Sequence, residues 1–364
     1  MDRPITEIKV EGYKSIRKMD LKMGALNVLI GANGAGKSNF VSLFGFLPEV
    51  IANDLRIVVE KLGGANRLLQ FGTKRTKRIT IGVTFGENYY ECGLLYLKAG
   101  LLGLGLEKYF HQSMNNDYFK SQSVQNSLFT SGIQEAANEG DEIANGVLQC
   151  LSGWRVYHFH DTSDTSPLRQ TNPINDNEYL RHDGSNLAAF LYRLRETHPA
   201  SYELIIETIR QVAPFFNNFN LRPNPLKPDT ILFEWKEVGS DAYFDVNSFS
   251  DGTLRFICLA TLFLQPKVLQ PTTIIIDEPE LGLHPSAIHL LASMLRSVSK
   301  NTQVIVATQS VTLVNQLQPK DIIVVDREDK QSVFHRLEGV DMTEWLKDYG
   351  LGDLWEKNVF GGRP

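Results

Sequence analysis

Three short apolar runs stand out along the chain, namely Leu26–Ile30, Thr272–Ile276 and Gln303–Thr308. A continuous apolar run of about five residues is typical of a buried strand and is too short for a buried helix. Chemically distinctive residues follow each run directly: a glycine-rich segment, a pair of acids, and Gln309-Ser310. The pattern predicts an α/β fold whose buried strands bring these segments to one site.

Elsewhere the pattern is alternating. Ile79–Phe85 and Tyr89–Leu97 alternate apolar and polar residues around Gly86-Glu87-Asn88 and predict a hairpin. Trp154–His160 alternates in the same way and predicts a further strand that returns to the core. No heptad pattern continues over three or four turns, so we do not expect a long coiled-coil arm.

The sequence changes character at about residue 99. From there to about residue 153 polar residues dominate and the helical patches are weakly amphipathic, and prolines between residues 214 and 228 mark a linker. We therefore expect three parts. Residues 1–98 would form a first lobe, residues 99–227 a mainly helical insertion, and residues 228–364 a second lobe that completes the sheet.

The glycine-rich segment fits the pattern G-x-x-x-x-G-K-[ST] at every fixed position, from Gly31 to Ser38. It lies between a predicted strand and a predicted helix, which is the context in which this pattern binds phosphate. Its backbone N–H groups and the helix N-terminus would face triphosphate oxygens. Lys37 would reach the β- and γ-phosphates, and Ser38 would ligate Mg²⁺. The candidate nucleotide-binding residues here are Asn33, Gly34, Ala35, Gly36, Lys37, Ser38 and Asn39.

The second strong signal is the acid pair after the second apolar run. We expect Asp277 to hold Mg²⁺, directly or through water, and Glu278 to orient and polarise an attacking water. One carboxylate suffices to hold a metal ion. The adjacent second carboxylate therefore indicates ATP hydrolysis as well as ATP binding.

Ser250-Asp251-Gly252-Thr253 precedes the apolar helix predicted at Phe256–Leu264. The Ser250 hydroxyl, the Gly252 N–H and the helix dipole would form a second phosphate-binding N-terminus. The segment resembles the signature loop of ABC-type ATPases. That resemblance implies that the loop binds the γ-phosphate held by a second copy, so that two ATP molecules lie between the subunits of a homodimer.

The same resemblance assigns further site residues. In ABC transporters the position of Gln309 is usually histidine; an amide can orient water or phosphate but cannot carry a proton, which implies slow hydrolysis. Gln70 is either the Mg²⁺-contacting glutamine of ABC-type heads or a surface glutamine. The opening Val10–Ser15, with its lysine, is similar to that of SMC, RecF and OLD-type ATPases and implies that Lys14 lies near the nucleotide.

A wider set of segments, including Trp154–His160 and the closing Gly361-Gly362-Arg363-Pro364, resembles bacterial "AAA family" predicted ATPases. Several relatives of that class are encoded in phage-defence operons beside a nuclease or toxin. The resemblance thus implies a separate effector protein as partner and a role in antiviral defence.

Composition changes this picture little. The 364 residues carry 37 Lys+Arg against 42 Asp+Glu, a net charge of −5, which does not indicate a nucleic-acid binder but leaves room for a local basic groove. The three cysteines are widely separated and fit a reducing compartment. No apolar segment resembles a signal or a membrane span, so we expect a cytoplasmic protein without membrane contact.

The leading hypothesis is an ABC-type, SMC/RecF-like ATPase head that uses ATP and Mg²⁺ and signals its state to a partner. One alternative is a DNA-repair or DNA-binding ATPase, which draws on the basic run Thr73–Arg78. Another is a nucleotide-gated scaffold with negligible turnover, which Gln309 favours.

Overall fold

The computed structural model describes residues 4–112, 118–123, 127–337, 342 and 344–363. The strands are β1 (Ile5–Tyr13), β2 (Ile16–Lys22), β3 (Leu26–Ile30), β4 (Arg78–Phe85), β5 (Asn88–Tyr96), β6 (Leu102–Gln112), β7 (Tyr118–Ser123), β8 (Trp154–Tyr157), β9 (Asn172–Pro173), β10 (Phe216–Asn224), β11 (Lys227–Glu237), β12 (Tyr243–Asp245), β13 (Thr273–Asp277), β14 (Gln303–Thr308), β15 (Ile322–Glu328) and β16 (Gln331–Arg336). The α-helices are α1 (Lys37–Val41), α2 (Leu43–Ala52), α3 (Leu55–Lys61), α4 (Ala65–Leu68), α5 (Ile133–Asn138), α6 (Glu142–Ser152), α7 (Leu187–Thr197), α8 (Pro199–Val212), α9 (Asp251–Leu264), α10 (Pro285–Val298), α11 (Val311–Val314), α12 (Trp345–Asp348) and α13 (Leu351–Glu356).

The three apolar runs form the centre of a six-stranded sheet with the order β16-β15-β3-β14-β13-β8. Strands β15, β3, β14, β13 and β8 are parallel, and β16 is antiparallel to β15. All residues of β3 and β14 are buried, which confirms the predicted strands. Because the strands are parallel, the segments that follow β3, β13 and β14 emerge at the same edge of the sheet.

Both faces of this central sheet are covered, because its side chains alternate between two hydrophobic clusters. Val28, Ile274 and Val306 pack with α7, α8, α9 and α10 on one face. Leu29 and Ile305 pack on the other face, with α1 and α2 and an antiparallel sheet. The chain is therefore a three-layer α/β structure, and its continuous apolar runs follow from burial on both faces.

The antiparallel sheet has the order β2-β1-β4-β5-β6-β7. The predicted hairpin is present as β4 and β5, joined at Gly86-Glu87. Strand β1 alternates buried and exposed residues along most of its length, as expected for a sheet with one face on the core.

Residues 99–227 were expected to form a mainly helical insertion, but the structure has several strands in this range. β6 and β7 extend the antiparallel sheet, β8 joins the central sheet, and β10 pairs with β11 across the expected boundary at 227. Helices α5 to α8 lie between these strands. The strand pattern of β6 is hidden by Gly103 and Gly105, which leave room for the side chains of Leu97 and Leu95. The proposed linker is a hairpin, with Pro223 in β10 and Pro228 in β11. The three-part division of the chain stays a prediction.

None of the helices in the described ranges is long and apolar enough to cross a membrane.

Candidate nucleotide-binding site

The glycine-rich loop leaves β3 at Ile30 and enters α1 at Lys37. Gly31 and Gly36 have backbone φ values of 154° and 122°, which residues with a Cβ atom rarely adopt. A Cβ at Gly31 would collide with the Val325 carbonyl oxygen, and one at Gly36 would collide with the Ser332 side chain. Close packing against β15 and β16 therefore requires glycine at both ends of the loop.

Lys37 is buried within this loop. Its Nζ donates hydrogen bonds to the carbonyl oxygens of Gly31, at 2.5 Å, and Ala32, at 3.1 Å. Burial lowers the pKa of Lys37, while the carboxylates of Glu278 and Asp277 act in the opposite direction. The loop's own carbonyl oxygens thus hold the ammonium group of Lys37.

The predicted metal ligands Ser38 and Asp277 lie together, although 239 residues separate them in sequence. Ser38 Oγ donates a hydrogen bond to Asp277 Oδ2 at 3.0 Å. Burial raises the pKa of Asp277, and the hydrogen bond from Ser38 opposes that shift. A hydroxyl oxygen beside a carboxylate suits Mg²⁺, which prefers oxygen ligands, so these two residues fit the ion.

The predicted catalytic residues Glu278 and Gln309 are also in contact. Gln309 Nε2 donates a hydrogen bond to Glu278 Oε1 at 2.5 Å. The Glu278 N–H donates to the Ala307 carbonyl oxygen at 2.7 Å, and Glu278 has a φ of 44°, in the left-handed region. The acid is therefore fixed both by its backbone and by the amide from the neighbouring strand.

Ser250 and Gly252 lie at the N-terminus of α9. Ser250 Oγ accepts a hydrogen bond from the Thr253 N–H at 3.2 Å, which makes Ser250 the N-cap. A Cβ on Gly252 would lie 2.5 Å from the Gly282 carbonyl oxygen, so α9 packs tightly against the turn that follows Glu278. Among the described residues, no hydrogen bond joins Ser250 or Gly252 to the 31–38 loop.

Lys14 and Asn39 lie beside the loop. Lys14 Nζ donates to Ser42 Oγ at 2.8 Å, and burial lowers the pKa of this lysine. Asn39 Nδ2 donates to Ser15 Oγ at 2.7 Å. Lys14, Ser38 and Asp277 line one cavity of about 370 Å³, so the structure brings this lysine close to the predicted metal ligands.

Gln70 does not line the cavity that Lys14, Ser38 and Asp277 share. It is buried, and its Oε1 lies 3.5 Å from Thr76 Oγ1, while its Nε2 is buried without a hydrogen-bond partner in the described part of the chain. It lines a different hollow, of about 320 Å³, together with Arg17 and Arg75. Contact between Gln70 and Mg²⁺ stays a prediction, although the alternative of a surface glutamine does not fit its burial.

Two residues of the site carried no role in the sequence analysis. Arg255 donates to the carbonyl oxygens of Phe159 at 3.0 Å, Leu281 at 2.8 Å and His160 at 2.7 Å, and so ties α9 to the turn after β13. Glu280 contacts the end of β14 through Thr308. The sequence could have indicated Glu280 through its place two residues after Glu278. Nothing in the sequence except its charge singles out Arg255.

Comparison with solved structures gives the fold a name. The crystal structure described as "SmcHead bound to the C-winged helix domain of ScpA" superposes with a TM-score of 0.60 at 19% identity, over 94% of this chain and 99% of that one. The chain has the ABC-type P-loop ATPase fold of an SMC head domain. A Pyrococcus furiosus SMC head with an extended coiled coil, bound to the C-terminal domain of ScpA, gives a TM-score of 0.56 at 15% identity, covering 94% and 99%.

Comparison with protein families matches a smaller part of the chain. The model of a family described as "AAA domain, putative AbiEii toxin, Type IV TA system" matches residues 149–315, slightly less than half of the chain. The matched segment contains α9, the acids after β13 and Gln309, and it begins after the glycine-rich loop. No curated protein matches the chain.

Proposed function

We propose that this ATPase head binds Mg-ATP and hydrolyses it. The observation that carries the proposal is the contact of Ser38 with Asp277 beside the contact of Gln309 with Glu278, both at the edge where the glycine-rich loop begins. The glycine-rich loop, the predicted metal ligands, the predicted base Glu278 and Gln309 thus meet, although they come from the ends of three separate strands. This combination suits phosphoryl transfer, in which positioning and electrostatic stabilisation dominate catalysis.

Each residue has a defined role in this proposal. Lys37 exchanges its bonds to loop carbonyls for phosphate oxygens, and its charge stabilises the transferred group. Glu278 accepts a proton from the attacking water, while the Gln309 amide orients the carboxylate. Mg²⁺, held by Ser38 and Asp277, would neutralise charge on the β- and γ-phosphates.

We further propose that two copies enclose two ATP molecules in a homodimer. Within the described residues, neither the Ser250 hydroxyl nor the Gly252 N–H at the N-terminus of α9 is hydrogen-bonded to the glycine-rich loop of its own copy, which supports contact with the nucleotide of a second copy. The two solved SMC heads are each bound to ScpA. By analogy, we propose that this chain regulates a separate effector protein, a nuclease or toxin, in antiviral defence in the cytoplasm.

Turnover of ATP tests the enzymatic part. The wild-type chain should release phosphate in a Mg²⁺-dependent way. Lys37→Ala should lose nucleotide binding, whereas Glu278→Gln should bind ATP and lose turnover by about 10²- to 10⁴-fold, the usual contribution of a general base. Turnover of the wild type equal to that of Lys37→Ala would instead favour a nucleotide-gated scaffold.

One observation favours DNA as a second ligand. Lys74, Arg75, Lys77 and Arg78 are exposed, and none of them forms an ion pair within the described ranges. The guanidinium of Arg75 lies 5.4 Å from the ring centroid of the exposed Phe71. Exposed Lys and Arg side chains suit the phosphate backbone of duplex DNA. Binding of duplex DNA that weakens with salt and with Arg75→Ala would support this function.

A further inference from the structure

Glu280 lies in the turn after β13, and its carboxylate faces the end of β14. Its Oε1 accepts hydrogen bonds from Thr308 Oγ1, at 2.5 Å, and from the Gln309 N–H, at 3.3 Å. Its Oε2 is inaccessible to solvent and has no hydrogen-bond partner among the described residues. Burial raises the pKa of Glu280, although the Thr308 bond opposes the shift.

Both donors belong to the segment that carries Gln309. Thr308 Oγ1 also accepts a hydrogen bond from the Ser310 N–H at 3.0 Å, and the Ser310 side chain caps α11. One carboxylate oxygen therefore holds the peptide unit from which the Gln309 side chain projects. That side chain in turn donates to Glu278, at 2.5 Å.

We propose that Glu280 is a positioning residue, which fixes the Gln309 peptide so that its amide holds the Glu278 carboxylate in place. The inference rests on the proposed function, because positioning Glu278 matters only if that residue acts on ATP. It adds a residue to the site that does not touch nucleotide, and it makes Thr308 part of the same unit.

Stability alone gives a poor account of this arrangement. A buried carboxylate with one oxygen unsatisfied is unfavourable compared with an apolar side chain of similar size. Buried polar atoms without partners are rare in folded proteins, and a catalytic role is one of the explanations for them. What a fixed carboxylate adds is a single orientation of segment 308–310, which carries Gln309.

Turnover of variants tests the proposal. Glu280→Ala removes the acceptor and should lower kcat by as much as about 100-fold, the effect of a catalytic group displaced by about 1 Å, with ATP affinity unchanged. Glu280→Gln keeps an acceptor oxygen and should restore most of the rate. In a Gln309→Ala background, Glu280→Ala should have no additional effect. An equal additional loss in that background would overturn the proposal, as would a full rate in Glu280→Ala.

A second readout does not require ATP. In the nucleotide-free protein, the shifts in melting temperature caused by Glu280→Ala and Thr308→Val should be strongly non-additive, since the two changes break the same bond. Thr302→Val serves as the matched control, because Thr302 Oγ1 bonds Gln270 Oε1 at 2.8 Å at the other end of β14. It should lower stability without coupling to Glu280 and leave kcat unchanged.

The two readouts separate this inference from the proposed function. If the wild type hydrolyses no more ATP than Lys37→Ala, the proposed function fails. If the wild type hydrolyses ATP and Glu278→Gln abolishes turnover but Glu280→Ala does not reduce it, only the positioning role fails. Additive melting shifts for Glu280→Ala and Thr308→Val would also overturn the inference.

Discussion

The left-handed backbone at Glu278 leads to an unusual order of stability among its variants. At φ 44° any residue with a Cβ is strained by about 1–2 kcal/mol, whereas glycine is not. Glycine in turn loses about 0.5–1 kcal/mol more conformational entropy than alanine on folding. Glu278→Ala and Glu278→Gly both remove the bond to Gln309, so that loss cancels when the two variants are compared.

The midpoints of the two ranges leave Glu278→Gly more stable than Glu278→Ala by about 0.75 kcal/mol, although alanine is normally the more stabilising residue. Position 207, exposed on α8, provides the control with ordinary helical backbone. There, Glu207→Ala should be more stable than Glu207→Gly by about 1 kcal/mol.

Urea unfolding of the nucleotide-free variants measures both differences, provided that the slopes of the transitions agree. If glycine is the more stable residue at position 278 and alanine at position 207, backbone strain is present at Glu278 in solution. If alanine is the more stable residue at both positions, Glu278 is not held in the left-handed region, and the geometry derived for its carboxylate is wrong. Strain at this residue would be consistent with a backbone shaped for function.

Two further predictions concern the predicted metal ligand Asp277 and the first turn of α9. Because burial raises the pKa of Asp277 in the folded state, its ionisation destabilises the protein as pH rises through the unfolded pKa of about 3.9. Asp277→Asn should therefore raise the melting temperature at pH 7, and this gain should shrink towards pH 4. The same variant should abolish Mg²⁺-dependent turnover. An unchanged melting temperature at pH 7 would contradict that cause. Gly252→Ala places a Cβ 2.5 Å from the Gly282 carbonyl oxygen and should destabilise the protein by about 1–3 kcal/mol in chemical denaturation. The control Gly45→Ala, in α2, meets no atom within 4 Å and should stabilise by up to about 1 kcal/mol, so equal effects would exclude the clash.

The central strands and the meeting of Ser38 with Asp277 could be predicted from the sequence, because apolar runs and a spaced motif carry that information locally. The antiparallel strand β6 could not, since Gly103 and Gly105 weaken the strand pattern and are explained only by the neighbouring side chains of Leu97 and Leu95. The position of Gln70 could not be predicted either, because the neighbouring residues in the sequence do not indicate which cavity its side chain lines.

The same limit applies to Arg255 and Glu280. Arg255 donates to three backbone carbonyls in two distant segments, at Phe159-His160 and at Leu281, and the sequence does not indicate which carbonyl a side chain will contact. Glu280 contacts Thr308, which lies 28 residues further along the chain, and the parallel pairing of β13 with β14 brings the two residues together.

A structure determined with Mg²⁺ and a non-hydrolysable ATP analogue tests the central claim most directly. The account predicts triphosphate density along residues 31–38, Lys37 turned from its loop carbonyls to the phosphates, and a metal ion between Ser38 and Asp277. A nucleotide bound elsewhere, or no nucleotide at saturating concentration with Lys37 still on the carbonyls of Gly31 and Ala32, would contradict it.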